Sequence, residues 1–467
     1  MTERIVVIGG DAAGMSAAHQ ALRSAKTAGR DVEVIALERT GDTSYSACGI
    51  PYVIAGLVDS PDDLSARTLE VHRAMGVDLR MGVTATSLDL DARAVHVSVD
   101  GVAGQAPTTD VVEFDQVVLA TGAAPVIPDW ARTSADELLP GVQAVKTLDD
   151  ARYWLDIINA TPADVGRRGV VVGGGYIGVE MAEALRERGF EVTLITRSRV
   201  MSSLDEQMSE RVEAGLAAAG VRVVTGTIVE AAEVGADDAK MLRTSTGEVI
   251  EADLVMLGLG VRPATGLGAD AGLPVGDYGG YLVDEHQSLG PGIWAAGDCC
   301  EPYDRITKER AFFPLGTHAN KQGRICGYNL IGGNERFAGV LGTAITRFKA
   351  NDVYLEIART GLSTKQAKAA GFDPISLTTE SSTASGYMDE ASPIATNVIA
   401  DRGTRRLLGV QIVGGMASGK RIDTASAALW GEMSVDDLAE MDLAYAPPFA
   451  TVWEAVQLSA RRLAERF

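Results

Sequence analysis

The chain has 467 residues, of which 46% are apolar, so it can bury large cores, and its length suggests about three domains. Its formal net charge of −21 argues against nucleic acid or an anionic membrane surface as a partner. No apolar run approaches the ~18 residues of a membrane span, and the first residues read as a buried strand rather than a secretory leader, so we expect a cytoplasmic protein.

The first predicted unit runs from a strand through a glycine turn and a helix to a second strand. The apolar run Ile5–Ile8 leads into the turn Gly9–Gly14, and the second strand ends at Glu38. Such a turn lets backbone N–H groups approach a pyrophosphate, and the acid accepts hydrogen bonds from a ribose diol. Asp11 stands at the middle glycine position. An ordinary tight turn that binds no ligand can have the same sequence pattern, so a dinucleotide site here needs further evidence from other parts of the chain.

A second copy of this fingerprint lies further along the chain. An apolar strand leads into a turn with Gly173, Gly175 and Gly178, and a helix and a second strand follow. No acid ends that second strand. Arg197 and Arg199 stand there instead, and arginine pairs with a 2′-phosphate that an acid would repel. The pattern therefore favours NADPH, with NADH possible, although a solvated basic turn is the alternative interpretation.

Two further strand ends favour FAD at the first copy. An apolar strand ends at Thr121–Gly122, and another ends at Asp298, where an acid can bind ribityl hydroxyls. Two dinucleotide folds in one chain imply two dinucleotides, commonly FAD and a nicotinamide. Taken in this order, the elements predict a flavoprotein that exchanges hydride with a nicotinamide.

The chain resembles the flavoprotein pyridine nucleotide–disulfide oxidoreductases over essentially its whole length. This resemblance implies an α/β fold with two Rossmann-like dinucleotide-binding domains and a C-terminal α+β dimerisation domain. The implied divisions are an FAD-binding domain at 1–147, an NAD(P)-binding domain at 148–256, the rest of the FAD-binding domain at 257–330 and the dimerisation domain at 331–467.

Three positions take roles from the same resemblance. The stretch PLGTHANKQGR resembles the helix that faces the flavin, which assigns Leu315 and Gly316 to FAD. Tyr176 matches the aromatic residue that gates the nicotinamide side of the flavin. Glu180 matches the acid that follows the second glycine fingerprint.

The sulfur chemistry points to one subgroup of this family. The dithiol reductases carry a second cysteine where this chain has Val53, and a C-terminal histidine, whereas no histidine here lies beyond His318. The stretch SYSACGIPY around Cys48 instead resembles the single-cysteine subgroup of NADH peroxidases, water-forming NADH oxidases and coenzyme A disulfide reductases. Peroxidases and oxidases typically carry a histidine where Ala12 stands. The coenzyme A disulfide reductases are therefore the closest resemblance.

The same subgroup supplies expectations for substrate and assembly. Tyr387 and Tyr445 match two tyrosines that reach into the partner subunit's site, which implies a homodimer with shared active sites. Arg23 has the spacing of an arginine that contacts coenzyme A, and Lys321 belongs to a local basic cluster, so both are expected to bind substrate. A solvated basic face is the alternative interpretation of that cluster. Tyr445, assisted by Tyr387, is the expected proton donor or hydrogen-bond donor to the leaving sulfur.

Cys48 is the expected catalytic thiol, forming a mixed disulfide with a small thiol that replaces the missing second cysteine. A helix beginning near Pro51 predicts a lowered pKa for this thiol. Two alternatives remain open. One is an NAD(P)H oxidase or peroxidase that cycles Cys48 through sulfenic acid. The other is a non-enzymatic flavoprotein that senses NADPH.

Overall fold

Three large sheets organise the structure, a computed structural model that describes residues 2–101, 106–160, 167–235 and 238–467. The first sheet has six strands, and the second and third have five each. Among the described residues, no helix is both long and apolar enough to cross a membrane.

The first stretch of chain builds most of the first sheet. Its elements are β1 (Glu3–Ile8), α1 (Ala12–Ala28), β2 (Val32–Glu38), α2 (Ile50–Ala55), α3 (Leu69–Ala74), β3 (Val77–Met81), β4 (Val83–Asp89), β5 (Ala94–Val99), β6 (Thr108–Glu113), β7 (Gln116–Leu119) and β8 (Ala123–Pro125). β1 lies between β2 and β7, parallel to both, and its core positions are fully buried. This burial on both faces explains the continuous apolar run at the start of the sequence.

The second stretch builds a separate parallel sheet in the order β12-β11-β10-β16-β9. Its elements are β9 (Val142–Ala144), α4 (Leu148–Ala160), β10 (Arg168–Val172), α5 (Tyr176–Glu187), β11 (Glu191–Ile195), α6 (Glu206–Ala218), β12 (Arg222–Val224), β13 (Val229–Val234), β14 (Lys240–Thr244), β15 (Val249–Ala252) and β16 (Leu254–Leu257). β13, β14 and β15 form a small antiparallel sheet of their own.

The chain then returns to the first sheet. Its next elements are β17 (Val261–Pro263), α7 (Gly266–Asp270), β18 (Ser288–Gly290), β19 (Ile293–Ala295) and α8 (Gly316–Asn329). β19 pairs in parallel with β7, so the first sheet is completed by residues that follow the second, and β17 forms a separate two-stranded sheet with β8. The predicted α/β class with two Rossmann-like units is confirmed.

The C-terminal region is an antiparallel sheet in the order β20-β21-β24-β23-β22, packed against helices. Its elements are β20 (Ala344–Ala350), β21 (Val353–Gly361), α9 (Thr364–Ala369), β22 (Pro374–Ser382), β23 (Pro393–Asp401), β24 (Leu407–Gly414), α10 (Ile422–Trp430), α11 (Val435–Glu440) and α12 (Ala455–Ala464). Val398 and Ile412 from the sheet share a core with Leu429 and Leu463 from the helices. This layering is the predicted α+β domain.

The four predicted domain divisions stay a prediction. β9 pairs in parallel with β16, which assigns residues 142–144 to the second sheet although the predicted division starts that domain at 148. An edge strand can be supplied by the chain as it enters a domain, and a three-residue strand leaves little signal in sequence.

Two helices from opposite ends of the first domain pack unusually closely. On α8, a Cβ added at Gly323 would lie 2.2 Å from the Ala13 carbonyl oxygen of α1, and one added at Gly327 would lie 2.2 Å from the Ala17 carbonyl oxygen. Both helices begin at the same edge of the first sheet, so this backbone contact fixes the two N-termini relative to each other.

Candidate functional site

The first glycine turn has a backbone that only glycine can adopt. Gly9 has φ +116°, and a Cβ there would lie 2.2 Å from the Ala120 carbonyl oxygen. A Cβ on Gly14 would lie 1.9 Å from the Gly9 carbonyl oxygen, so this residue lets α1 start directly against the turn. Glu38 accepts a 2.7 Å hydrogen bond from the Gly10 N–H, which joins the end of β2 to the turn.

A cleft of about 800 Å³ opens at this turn. It is lined by the predicted residues Gly9, Glu38, Cys48, Thr121, Gly122, Asp298 and Gly316, together with Asp11, Lys146 and Asn320. Two predicted FAD residues are not part of its lining. Gly14 packs beneath the turn, and Leu315 is the residue that precedes the first turn of α8. Their direct contact with FAD stays a prediction.

The polar groups of the cleft fit a dinucleotide. The Asp11 Oδ1 atom is buried and lacks a hydrogen-bond partner among the described residues, so it is an acceptor available to a hydroxyl or amide donor. Burial, with Glu38 nearby, raises the pKa of Asp11 to about 6. Lys146 Nζ lies 3.6 Å from Asp298 Oδ2, and burial raises the pKa of that carboxyl while Lys146 opposes the rise. The volume, the helix N-termini and this donor and acceptor set suit FAD.

Cys48 is the exposed sulfur of this site. It lies in a short 3₁₀ turn, Ala47–Gly49, which leads into α2, with Pro51 in the first turn of that helix as predicted. Cys299, Cys300 and Cys326 are all buried and free. Cys48 is thus the one cysteine of the four that can meet a substrate at the cleft.

The predicted lowering of the Cys48 pKa is wrong for this structure. Although the side chain is exposed, the surrounding protein displaces water and raises the pKa of the thiol, and Glu180 raises it further. Lys146 acts in the opposite direction and is outweighed. α2 has only six residues and begins two residues after Cys48, so its N-terminus does little to stabilise a thiolate.

The second glycine turn repeats the geometry of the first. Gly173 has φ +121°, and its Cβ would lie 2.1 Å from the Gly258 carbonyl oxygen. A Cβ on Gly178 would lie 1.9 Å from the Gly173 carbonyl oxygen. Gly175 precedes the first turn of α5 with no atom within 4 Å of its Cβ position, so backbone donors there are open to a phosphate.

The helix after this turn carries the other predicted nicotinamide residues. Tyr176 is the first residue of α5, and Glu180 lies one turn later. Thr346 of β20 donates a 2.7 Å hydrogen bond from Oγ1 to Glu180 Oε1, and burial raises the pKa of Glu180 to about 7. The negative charge of Glu180 raises the pKa of the Cys48 thiol. The structure therefore brings the helix of the second glycine unit close to the predicted catalytic sulfur.

Glu183, one turn further along α5, is nearly inaccessible. Arg347 of β20 holds it with a 3.1 Å ion pair, and the Lys349 N–H donates to its second oxygen at 2.8 Å. The Arg347 guanidinium also lies 5.1 Å from the centre of the Tyr52 ring on α2. α5 is thus fastened to the C-terminal sheet on one side and to the Cys48 helix on the other.

The two predicted tyrosines lie on two adjoining loops and are not part of the lining of the cleft. Tyr387 is 76% exposed and Tyr445 is 48% exposed. Their loops are joined by a 2.9 Å hydrogen bond from the Ser385 N–H to the Pro447 carbonyl oxygen. Neither tyrosine lines the cleft that holds Cys48, which is the arrangement expected if they serve a second subunit.

The two predicted substrate residues stay a prediction. Arg23 on α1 and Lys321 on α8 are exposed, and Arg23 Nη2 donates a 2.8 Å hydrogen bond to Gln20 Oε1. Lys146 was missed by the sequence analysis, because it lies between β9 and α4 with no motif around it.

Comparison with known proteins identifies the family. A model of the pyridine nucleotide-disulphide oxidoreductases matches residues 3–323, and a model of their dimerisation domain matches residues 353–456. The chain belongs to this family. The resemblance stated from the sequence is therefore confirmed, and this pyridine nucleotide-disulphide oxidoreductase is an NAD(P)H-dependent flavoprotein whose family uses FAD and a nicotinamide.

Similar proteins include reductases of sulfur compounds and a water-forming oxidase. The NAD(P)H coenzyme A polysulfide/persulfide reductase of Pyrococcus horikoshii is 35% identical over 99% of both chains. The NAD-dependent persulfide reductase of A. fulgidus has a TM-score of 0.90 and 33% identity, covering 99% of this chain and 83% of that one. An engineered water-forming NADPH oxidase, derived from a Lactobacillus brevis NADH oxidase, has a TM-score of 0.89 and 27% identity, covering 99% and 98%.

Proposed function

We propose that this oxidoreductase reduces small-thiol disulfides and persulfides, most of all those of coenzyme A, through a mixed disulfide on Cys48. The observation that carries the proposal is that Cys48 alone among the four cysteines is exposed, and that it lines the cleft built by the first glycine turn. The P. horikoshii relative, a coenzyme A polysulfide/persulfide reductase, supports an acceptor of this class.

The chemistry of a single thiol sets the sequence of steps. An FAD held at the first glycine turn, Glu38 and Asp298 would supply the electron pair that reduces sulfur, received as hydride from the nicotinamide. The Cys48 thiolate attacks one sulfur of R–S–S–R, so one S–S bond forms, another breaks, and R–S⁻ leaves with the electron pair of the broken bond. Two electrons then cleave Cys48–S–S–R, release the second R–S⁻ and restore the Cys48 thiolate.

Each released thiolate takes up a proton from a group near Cys48. Glu180 is suited to hold a proton at neutral pH, because burial raises its pKa to about 7. The partner subunit's Tyr445, assisted by the partner subunit's Tyr387, is the proposed hydrogen-bond donor to the leaving sulfur. The exposure of both tyrosines and the family's dimerisation domain support a homodimer with shared sites.

NADPH is the proposed reductant, with NADH as a second one. Arg197 is exposed at the end of β11, where a 2′-phosphate would meet it. The engineered NADPH oxidase among the similar structures gained two arginines and lost an aspartate, which supports arginine as the reader of that phosphate.

Oxygen or peroxide reduction through a sulfenic acid on Cys48 is the second candidate, favoured by the structural likeness to the water-forming oxidase. No histidine lines the cleft among the described residues, which argues against it. The non-enzymatic sensor is not supported, because the chain belongs to a family of oxidoreductases.

Turnover with coenzyme A disulfide, coenzyme A persulfide, hydrogen peroxide and oxygen tests this proposal. We expect the two sulfur substrates to react fastest and Cys48→Ser to lose their reduction by several orders of magnitude, because serine forms no mixed disulfide. Cys48→Ser should still accept hydride from NADPH. Ser65→Ala, at an exposed position outside the lining of the cleft, is the control and should keep full activity. Light scattering should give a dimer. Faster turnover with oxygen or peroxide would refute the proposal.

A further inference from the structure

The turn after β11 carries two arginines in different surroundings. Arg197 is exposed and makes no ion pair with any residue that the structure describes. Arg199 faces α6 and is surrounded by carboxylates. The two residues therefore differ in how freely they can meet a nucleotide, although their sequence positions look equivalent.

Three glutamates of α6 hold Arg199. Glu206 is in direct contact with its Nη2 atom. Glu210 lies 3.5 Å from the same atom, and Glu213 lies 3.7 Å from Nη1. The spacing of four and three residues puts all three acids on one face of the helix. This face forms an acidic ladder beside the turn, namely Glu206, Glu210 and Glu213.

We propose that Glu206 and Glu210 are specificity-determining residues that restrain the preference of this enzyme for NADPH over NADH. The proposal rests on the proposed nucleotide site at the end of β11 and deepens it. The Arg199 guanidinium can pair either with the acidic ladder or with a phosphate at the 2′ position of the ribose. Arg197 remains available for a 2′-phosphate.

The physical basis is competition for one guanidinium. To pair with a 2′-phosphate, Arg199 must loosen its contacts with the ladder, and the doubly charged phosphate must approach three carboxylates. A ribose diol is uncharged and meets neither cost. Both reductants are thereby accepted, whereas two unencumbered arginines would favour NADPH strongly.

Glu213 has a separate structural role. Its Oε1 atom accepts a 3.0 Å hydrogen bond from the Val200 N–H, and its side chain is only 20% exposed. Glu206 and Glu210 are 69% and 55% exposed and can be changed without disturbing the turn. The informative variant is therefore Glu206→Gln with Glu210→Gln.

Binding of two nucleotide fragments by the FAD-containing protein gives the test. Calorimetry with AMP and with adenosine 2′,5′-bisphosphate measures the 2′-phosphate preference without any electron transfer. Each exposed ion pair corresponds to a factor of roughly 1.4 to 5 in affinity, so the double variant should raise the ratio of bisphosphate to AMP affinity by about two- to thirtyfold. The ratio of kcat/KM for NADPH to that for NADH should rise by a similar factor. Glu230→Gln with Glu233→Gln, on β13, removes the same charge from the same domain and should leave both ratios unchanged.

Arg199→Ala decides whether Arg199 transmits the effect. In that background, the change of Glu206 and Glu210 to glutamine should raise either ratio by much less, because only the direct repulsion between carboxylates and phosphate is then relieved. An unchanged or lower ratio in the double variant, an equal rise in the β13 control, or a full rise without Arg199 would each overturn the proposal. Fragment binding does not depend on the electron acceptor, so failure of the proposed sulfur substrates would leave this result standing.

Discussion

Gly323→Ala tests the closest backbone contact in the first domain. The added Cβ would lie 2.2 Å from the Ala13 carbonyl oxygen, whereas ordinary contact begins at 3.4 Å, so α1 and α8 must separate by about 1.2 Å. The obstacle is backbone, which no rotamer change can move aside. Overpacking of this kind costs roughly 1–3 kcal/mol, and the better helix propensity of alanine returns about 1 kcal/mol of it. We expect a net loss of about 2 kcal/mol at most.

The same change should also weaken FAD binding. α1 and α8 both begin at the cleft, so a wedge between them moves the first glycine turn relative to Gly316. Gly327→Ala introduces an equal clash, 2.2 Å from the Ala17 carbonyl oxygen, but lies one turn further from the cleft. Both variants should lose similar stability, and Gly323→Ala should lose more FAD affinity.

Flavin fluorescence during heating measures both effects. A loss of up to about 2 kcal/mol in a domain of this size lowers the melting temperature by at most about 4–8 °C. Gly431→Ala is the control, because nothing lies closer than 3.5 Å to its added Cβ. The reasoning is refuted if Gly323→Ala melts and binds FAD as the unaltered protein does, since the two helices would then separate without cost.

Two further predictions use the raised pKa values of the site. The pKa of Asp11 is raised from 3.8 to about 6, so the folded FAD-free protein binds more protons than the unfolded chain, and its stability should fall as the pH rises through about 6. Asp11→Asn should flatten that fall in urea titrations, and an unaltered profile would contradict the assignment. Glu180 raises the pKa of the Cys48 thiol, so Glu180→Gln should shift the alkylation profile of Cys48 with iodoacetamide to lower pH, whereas Glu187→Gln, exposed on the same helix, should not. An unchanged profile in Glu180→Gln would show that desolvation, and not the charge of Glu180, governs this thiol.

The glycine turns could be predicted because their constraint is local. Gly9 and Gly173 need a positive φ, and Gly14 and Gly178 need a missing Cβ, so the backbone dictates the residue whatever the surroundings. The strands that precede them are buried on both faces, which leaves a continuous apolar run in the sequence. The two Rossmann-like units followed from these two signals.

The electrostatics of the site could not be predicted, because they depend on contacts between distant parts of the chain. Lys146 reaches Asp298 from across the cleft, and no spacing in sequence indicates that pair. The proline after Cys48 correctly indicated a helix, but the raised pKa of the thiol comes from burial and from Glu180. In the same way, the sequence around Arg199 does not indicate that this side chain pairs with Glu206 of α6.

The attachment of α5 to the C-terminal sheet has a consequence for engineering. Thr346 and Arg347 of β20 hold Glu180 and Glu183 through a hydroxyl and a guanidinium. If the nicotinamide-binding domain were replaced by that of a relative, the new helix in the place of α5 would lack side chains that fit Thr346 and Arg347 of β20. Such a chimera should also carry the donor's residues at positions 346 and 347. Removing Arg347 alone would leave the buried carboxylate of Glu183 without its ion pair, which is strongly destabilising.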